Sequence, residues 1–381
     1  MPPADPASDG VALAIRLRDF AARLRGDGSV RSGAVVDALA TVPRHLCLDG
    51  FYGSEGRWVP VRHDAPIPGE ILDEVYGDGA LVTLLSPEGT PISSSSQPSL
   101  VARMLEALRL EPGLRVLEVG AGTGWNAALM ATITGMPVTT IDAGELAAIR
   151  ARASITRLGM TEQVAVLLGD GWAGAPAGAP YDRVVATVGC AGISPAWLEQ
   201  LTPDGFALAP VDLGGTNPIM ETDAAGRAGR LRLWAGFMRA GGPLGWRRPG
   251  HDPDTLLVER PLSGSVQAGP ALDHADYLSL WCFCACSDPR ATRATMPLGE
   301  DMLSGLALVD PVLGTAWIGD DGVVTATGDP VLLDQAAGLV VAWERAGRPP
   351  PSAWRCRLRP AGDPRQPVLV PDPASWVLGE P

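Results

Sequence analysis

The segment that most constrains the fold is 116–126, which reads VLEVGAGTGWN. Its apolar, β-branched start predicts a short strand, and the residues from Asn126 onward have the composition of a helix. Three alternate glycines lie between them, Gly120, Gly122 and Gly124, and they allow a tight turn that brings backbone N–H groups close to a ligand. The segment therefore predicts a strand, a glycine turn and a helix, the opening unit of a nucleotide-binding α/β fold.

Acidic residues follow the next two predicted strands. Asp142 lies about twenty residues after the glycines, where such a unit places a carboxylate for ribose hydroxyls. Asp170, with Gly171 beside it, follows the third strand. The glycine spacing is G-x-G-x-G and the strand before it contains Glu118, a pattern that favours an adenosyl group with an amino-acid tail, as in S-adenosylmethionine. NAD binding and a glycine turn without a ligand are the alternatives.

Further motifs occur in a fixed order along the chain. They are 38–44 (ALATVPR), 91–98 (PISSSSQP), 101–104 (VARM), 117–125 (LEVGAGTGW), 169–172 (GDGW), 181–187 (YDRVVAT) and 201–210. Together they resemble the protein-L-isoaspartate O-methyltransferase family over residues 30 to 240. The resemblance implies a Rossmann-like, S-adenosylmethionine-dependent methyltransferase fold. The residues that it assigns to the cofactor are Glu118, Gly120, Gly122, Gly124, Asp142, Asp170 and Gly171.

The resemblance also implies a serine close to the carboxylate that is methylated. The family has Thr-Ile-Ser directly before a proline-containing helix start, whereas this chain has Pro91 in place of the threonine and a short insertion after it. Aligned from the left the catalytic serine is Ser93, and aligned from Gln97-Pro98 it is Ser96. The alternative is a solubilising serine loop that caps the following helix.

The sequence predicts an α/β protein in four segments. They are an N-terminal helical segment with a cleft loop at 1–85, a Rossmann-like methyltransferase core at 86–242, a linker at 243–253 and a small α+β accessory domain at 254–381. The cleft loop includes a long irregular stretch over 51–79, rich in Gly, Pro and Asp. The accessory domain contains five tryptophans, which form either a peptide-binding face or part of its core.

Three cysteines of the accessory domain alternate along the chain. In a strand, Cys282, Cys284 and Cys286 would share one face. A zinc site needs four ligands, and only the distant residues Cys356, His251 or His274 could complete one. Buried small hydrophobic side chains are therefore the favoured interpretation, and we predict no metal.

The composition limits the function classes. With 46% hydrophobic and 19% charged residues, the chain has the composition of an ordered globular protein. Its net charge of −13 argues against a nucleic-acid partner. The absence of lysine excludes Schiff-base chemistry and a Walker-type phosphate lysine. No apolar run is long enough to span a membrane and no signal-peptide pattern is present, so we expect a cytoplasmic protein with reduced thiols and no membrane partner.

The expected reaction is methyl transfer to a carboxylate. A carboxylate is already ionised at neutral pH, so the reaction needs positioning and no general base. The resemblance implies an Asp or isoAsp residue in a peptide or protein, whose ester then cyclises to a succinimide (aspartimide). The additional C-terminal domain and the altered serine stretch favour a dedicated, ribosomally made peptide over general repair of damaged proteins. A small-molecule carboxyl methyltransferase and a catalytically idle peptide scaffold are further alternatives.

Overall fold

The computed structural model describes residues 6–247, 260–298 and 301–379. Contacts between residues divide the chain into two units, Met1–Thr187 with Glu199–Phe206, and Val188–Leu198 with Ala207–Pro381. This division differs from the predicted boundary at residue 242. The predicted linker begins within a short 3-10 helix, Gly242–Gly245. Its residues 248–253, which include His251, lie outside the described residues.

The first unit contains six helices within its described residues. They are α1 (Pro6–Gly26), α2 (Gly33–Thr41), α3 (Gly69–Val75), α4 (Pro98–Leu108), α5 (Trp125–Thr134) and α6 (Glu145–Arg157). Its strands are β1 (Gly50–Tyr52), β2 (Trp58–Pro60), β3 (Leu81–Leu85), β4 (Pro91–Ser95), β5 (Val116–Val119), β6 (Val138–Asp142), β7 (Val164–Leu168), β8 (Tyr181–Ala186) and the first part of β9 (Leu201–Pro210).

A parallel sheet with the order β8-β5-β6-β7 forms the centre of this unit. Strand β5 is buried at all of its positions, which is typical of a parallel sheet covered on both faces. The carboxyl ends of β5, β6 and β7 lie at one edge, where open α/β sheets bind their ligands. The predicted Rossmann-like core, with its strand, glycine turn and helix, is confirmed.

The two N-terminal helices pack on the helix that follows the glycine turn. Trp125, the first residue of α5, is 2% exposed and its indole N–H donates to the carbonyl of Val42 at 3.2 Å. The ring of Phe20 from α1 lies 6.3 Å from the Trp125 ring. The predicted N-terminal helical segment is therefore present as two helices.

A second, four-stranded sheet has the order β2-β1-β3-β4. The prediction of one long irregular loop over 51–79 is wrong, because this stretch contains β2 and α3. Strands of three residues are too short to show a periodic pattern, so the sequence did not reveal them. The serine stretch is also not a loop, since Ser93, Ser94 and Ser95 pair with β3 in an antiparallel register.

The second unit contains three helices and ten strands within its described residues. The helices are α7 (Pro195–Leu198), α8 (His274–Ser287) and α9 (Val331–Arg345). The strands, besides the end of β9, are β10 (Ile219–Asp223), β11 (Ala228–Leu233), β12 (Leu262–Gln267), β13 (Ala291–Leu298), β14 (Asp301–Asp310), β15 (Gly314–Ile318), β16 (Val323–Gly328), β17 (Trp354–Asp363), β18 (Gln366–Pro371) and β19 (Val377–Leu378).

The C-terminal part of this unit is α+β. Strands β12-β16-β15-β14-β13 form an antiparallel sheet, and α9 packs against β15 and β16. Strand β17 pairs antiparallel with β11 and also with β18. The predicted small α+β region is therefore confirmed.

The three alternating cysteines lie in helix α8 and not in a strand. In a helix only Cys282 and Cys286 share a face, since residues four apart are neighbours, and Cys284 points elsewhere. All three are buried. The strand prediction is wrong because every residue from Ser279 to Cys286 is buried, and a helix buried all round shows no amphipathic period.

Most tryptophans of the accessory region belong to its core. Trp281, Trp317, Trp343 and Trp354 are each no more than 5% exposed. Trp376 is partly exposed. The core interpretation therefore holds for four of the five rings.

Candidate functional site

The glycine turn occupies the carboxyl end of β5. Gly120, Gly122 and Gly124 have φ values of 103°, 51° and 80°, a region that L side chains rarely adopt. The N–H of Gly120 donates to the carbonyl of Ile141 at 2.8 Å, which fixes the turn to the neighbouring strand. Thr187 donates its hydroxyl to the carbonyl of Gly120 at 2.6 Å. The structure thus explains why all three positions are glycine.

Asp142 closes the turn from the end of β6. One carboxylate oxygen accepts the N–H of Gly122 at 3.1 Å, and the other accepts the N–H of Gly144 at 2.8 Å. The side chain is only partly buried, and it lies at the carboxyl end of β6, where open α/β sheets bind their ligands. This carboxylate can accept hydrogen bonds from the hydroxyls of a ribose.

Asp170 follows the next strand and is exposed. One of its oxygens accepts the N–H of Trp172 at 2.9 Å, which shapes the turn at Gly171. Leu168 pairs with Asp142 across the sheet and leaves 50% of its surface exposed. Leu168 thus presents an exposed apolar side chain at the carboxyl edge, beside the strand end that contains Asp142.

Glu118 lies beneath the turn and does not reach the surface. It is 1% exposed, and its two oxygens accept hydrogen bonds from Asn126 and Thr140, each at 2.7 Å. Burial raises the pKa of this carboxyl from its usual range to about 7. Glu118 therefore joins β5 to the start of α5 and to β6, and supports the turn from below.

The serine strand β4 passes directly beside the glycine turn. A Cβ atom on Gly122 would lie 3.4 Å from the carbonyl oxygen of Ser94. Ser93 and Thr83 line the same small cavity as Gly122 and Thr123. The structure thus brings the predicted serine stretch and the predicted cofactor turn together, although they are far apart in sequence.

The two candidate serines have different surroundings. Ser93 is 9% exposed, and its hydroxyl oxygen accepts a hydrogen bond from Thr83 at 3.2 Å. Ser96 is partly exposed and follows the last residue of β4. Ser93 lines the cavity at the glycine turn, and Ser96 is the more accessible to a large substrate.

Arg44 is a residue whose role the sequence did not reveal. It is fully buried, and its guanidinium donates to the carbonyls of Val75 at 2.7 Å, Ser95 at 3.0 Å and Ser96 at 2.8 Å. A further carbonyl, that of Gly79, accepts at 3.2 Å. The hydroxyl of Ser95 accepts at 3.0 Å. Burial lowers the pKa of Arg44 to about 10, but the group stays charged at neutral pH.

Comparison with known proteins identifies the family. The family model for protein-L-isoaspartate (D-aspartate) O-methyltransferase matches residues 70–230. A protein-L-isoaspartate O-methyltransferase from Methylorubrum extorquens is 34% identical over 58% of this chain and 84% of its own length. The enzyme of the same name from Hyperthermus butylicus is 31% identical over 63% of this chain and 94% of its own length. The chain belongs to the protein-L-isoaspartate O-methyltransferase family.

Membership defines the reaction class. The protein is an S-adenosylmethionine-dependent carboxyl O-methyltransferase that acts on peptide or protein substrates. The site fits this cofactor, because the turn is free of side chains at Gly122 and the carboxylate of Asp142 lies beside it. The predicted fold and methyl donor are therefore confirmed, and NAD is excluded as the cofactor.

A solved structure entitled protein-L-isoaspartate O-methyltransferase extends the likeness to the C-terminal region. It has a TM-score of 0.53 and 25% identity, and the likeness covers 93% of this chain and 99% of that chain. Most of the accessory region must therefore have a counterpart in that protein. This relative therefore shares the longer form, with a region beyond the methyltransferase core.

The described parts of the chain contain neither a cluster of metal ligands nor a membrane-spanning helix. No cluster of three or more His, Cys, Asp or Glu side chains there could hold a metal ion. No helix among those residues has the length and apolar character that crossing a membrane requires.

Proposed function

We propose that the chain methylates the side-chain carboxylate of an Asp or isoAsp residue held beside the glycine turn by a serine hydroxyl of 93–96. One observation carries the proposal, the approach of strand β4 to Gly122. The carbonyl of Ser94 lies at van der Waals distance from the position of a Cβ on that glycine. The serine hydroxyls that position the acceptor and the glycine turn that binds the methyl donor thereby lie side by side.

In this proposal each part of the site has one task. The backbone of Gly120, Gly122 and Gly124 and the carboxylates of Asp142 and Asp170 with Gly171 bind the cofactor. Glu118 takes part by holding the turn in place, since both of its oxygens are already engaged. Ser93 or Ser96 donates a hydrogen bond to one oxygen of the substrate carboxylate and so directs the other oxygen toward the methyl group.

S-adenosylmethionine supplies the methyl group when it is bound. The acceptor carboxylate is ionised at neutral pH, so the protein does not have to remove a proton. It has to hold the carboxylate oxygen about 3 to 3.5 Å from the methyl carbon and exclude water, which is catalysis by proximity and orientation. The buried, hydrogen-bonded serine strand is suited to such positioning.

The methyl ester prepares the next step in the substrate itself. The backbone nitrogen of the following residue attacks the ester carbonyl, methanol leaves with the proton of that nitrogen, and a succinimide ring forms. Methoxide is a much better leaving group than the oxide of a carboxylate. No side chain of the protein is needed for this ring closure.

We propose a dedicated, ribosomally made peptide as the acceptor, with general repair of isoaspartyl proteins as the second candidate. The altered serine stretch supports a dedicated peptide. The second candidate is supported by the solved structure entitled protein-L-isoaspartate O-methyltransferase, because the likeness covers 99% of that chain. We also propose a cytoplasmic location, in agreement with six free, buried cysteines.

Mass spectrometry of methyl transfer tests the proposal directly. A short isoaspartyl peptide and its normal aspartyl counterpart are incubated in parallel with S-adenosylmethionine and the protein. Methylation of the isoaspartyl peptide alone would support repair. Methylation of a longer aspartyl polypeptide but of neither short peptide would support a dedicated acceptor. If labelled S-adenosylmethionine binds and no carboxylate in any polypeptide is methylated, the proposed function is wrong.

A further inference from the structure

The second unit contains a cavity of its own. Its volume is about 350 Å³, within the range of roughly 300 to 1,000 Å³ that ligand sites occupy. The walls come from the turn at Gly214–Gly215, from residues around Pro289 and from the β17–β18 hairpin. All lining residues belong to the second unit, and none has a role in the methyl transfer proposed above.

Two tryptophans border this cavity on partly exposed surfaces. The ring of Trp246 lies over Gly362, where an added Cβ would be 3.6 Å from the ring. Trp376 stands edge-on against Trp354, with ring centroids 6.4 Å apart and an interplanar angle of 85°. The other tryptophans of the accessory region are core residues. Large rings that are left partly exposed at a cavity are typical of binding surfaces, where they supply contact area.

A row of arginines leads to the cavity along β17. Arg355, Arg357 and Arg359 alternate with buried or half-buried residues and are all exposed, and Arg359 lines the cavity. Arg357 is 75% exposed, and its contact with Asp372 is long, at 3.5 Å. The protein as a whole has a net charge of −13, so this row is a local concentration of positive charge.

The spacing of the row matches an extended polypeptide. Residues two apart in a strand lie roughly 6.6 Å apart and face the same side. An extended partner with carboxylates on one face can therefore meet successive guanidinium groups. Asp212 also lines the cavity, so a uniformly acidic ligand would be repelled there, whereas a peptide can direct N–H groups to that side.

We propose that the cavity and the arginine row bind a segment of the acceptor polypeptide outside the methylated residue. The segment is extended, places a proline or aromatic side chain against Trp246 and Trp376, and places a carboxylate at Arg359. The inference rests on the proposed function, because the occupant is taken to be the methyl acceptor. Such a site would select substrates by a second sequence, as a dedicated acceptor requires.

Steady-state kinetics on two acceptors test the inference. One is a short methyl-accepting peptide, and the other is the same peptide extended by an acidic segment that contains proline and phenylalanine. Arg359→Glu is expected to raise KM for the extended acceptor at least tenfold and to leave KM for the short one unchanged. Trp376→Ala should act in the same direction. Arg365→Glu is the matched control, because Arg365 is exposed in the β17–β18 turn and does not line the cavity.

Salt and competition sharpen the test. Screening of exposed charges should reduce the advantage of the extended acceptor as ionic strength rises. The free acidic segment should quench tryptophan fluorescence and compete with the extended acceptor. Equal competition by a small dicarboxylate would make this a small-molecule site and overturn the inference, as would an unchanged KM in Arg359→Glu.

The two proposals fail in different ways. If both acceptors are methylated and Arg359→Glu has no effect, only the inference fails. If no acceptor is methylated while the cofactor binds, the proposed function fails. Direct binding of the free segment to the wild-type protein and to Arg359→Glu then still decides whether the cavity takes an acidic peptide.

Discussion

Replacement of Arg44 by methionine should release the serine strand. Methionine keeps the apolar stem and the contact with Trp125, over whose ring the guanidinium carbon lies at 5.4 Å. It removes all hydrogen bonds to the carbonyls of Val75, Gly79, Ser95 and Ser96. We expect strand β4 to lose its position relative to the glycine turn.

The magnitude follows from these contacts. A buried acceptor that loses its partner costs about 2 kcal/mol, so the carbonyls of Val75, Ser95 and Ser96 cost about 6 kcal/mol, while the exposed carbonyl of Gly79 can bind water instead. Arg44 is itself destabilised by burial, which lowers its pKa to about 10. Removing that charge returns about 3 kcal/mol, at 1.36 kcal/mol for each tenfold change in proton affinity. The net loss in the free energy of unfolding is thus about 3 kcal/mol, a substantial part of a typical domain's stability.

Urea unfolding and hydrogen exchange of the β4 amides measure this loss. The kcat for methyl transfer should fall about 100-fold, since a displacement of about 1 Å at a catalytic group has an effect of that size. Arg31→Met is the matched control, because Arg31 is exposed and its replacement should change stability by less than about 0.5 kcal/mol. A variant at Arg44 with less than about 1 kcal/mol of destabilisation and normal kcat would refute the reasoning.

Three further predictions concern the site itself. Glu118 has a folded pKa of about 7, above its ordinary value of 4.5, so its contribution to stability is present below pH 4.5 and is lost as pH rises to 7. Across this window the free energy of unfolding of the wild type should therefore fall by about 3 kcal/mol relative to that of Glu118→Gln. Urea midpoints that change equally with pH in the two proteins would contradict this prediction. Asp142→Asn should weaken S-adenosylmethionine binding about 10- to 100-fold in calorimetry, because a charged acceptor is lost; an unchanged Kd would exclude the ribose role. Of Ser93→Ala and Ser96→Ala, the one that removes the catalytic hydroxyl should lower kcat about 100-fold with the cofactor Kd unchanged; full activity in both would exclude a serine role.

The candidate site was predicted in part from the sequence. The glycines and Asp142 could be predicted from the sequence, because a glycine turn and the carboxylate that follows the next strand are local patterns with fixed spacing. The role of Arg44 could not be predicted in this way, although the residue lies in the motif at 38–44. Its partners Val75 and Ser96 are more than thirty residues away, and no local pattern records which carbonyls a buried guanidinium will meet.

The sequence by itself determined the parallel α/β core, the methyl donor and the family, because these depend on periodicity and on short motifs. Tertiary structure decided that the serines form a strand beside Gly122, that Glu118 is buried beneath the turn, and that Cys282–Cys286 is helical. It also decided which tryptophans are core and which border a cavity. The physical reason is that burial and long-range hydrogen bonding depend on which elements pack together, and a buried helix and a buried strand have the same apolar composition.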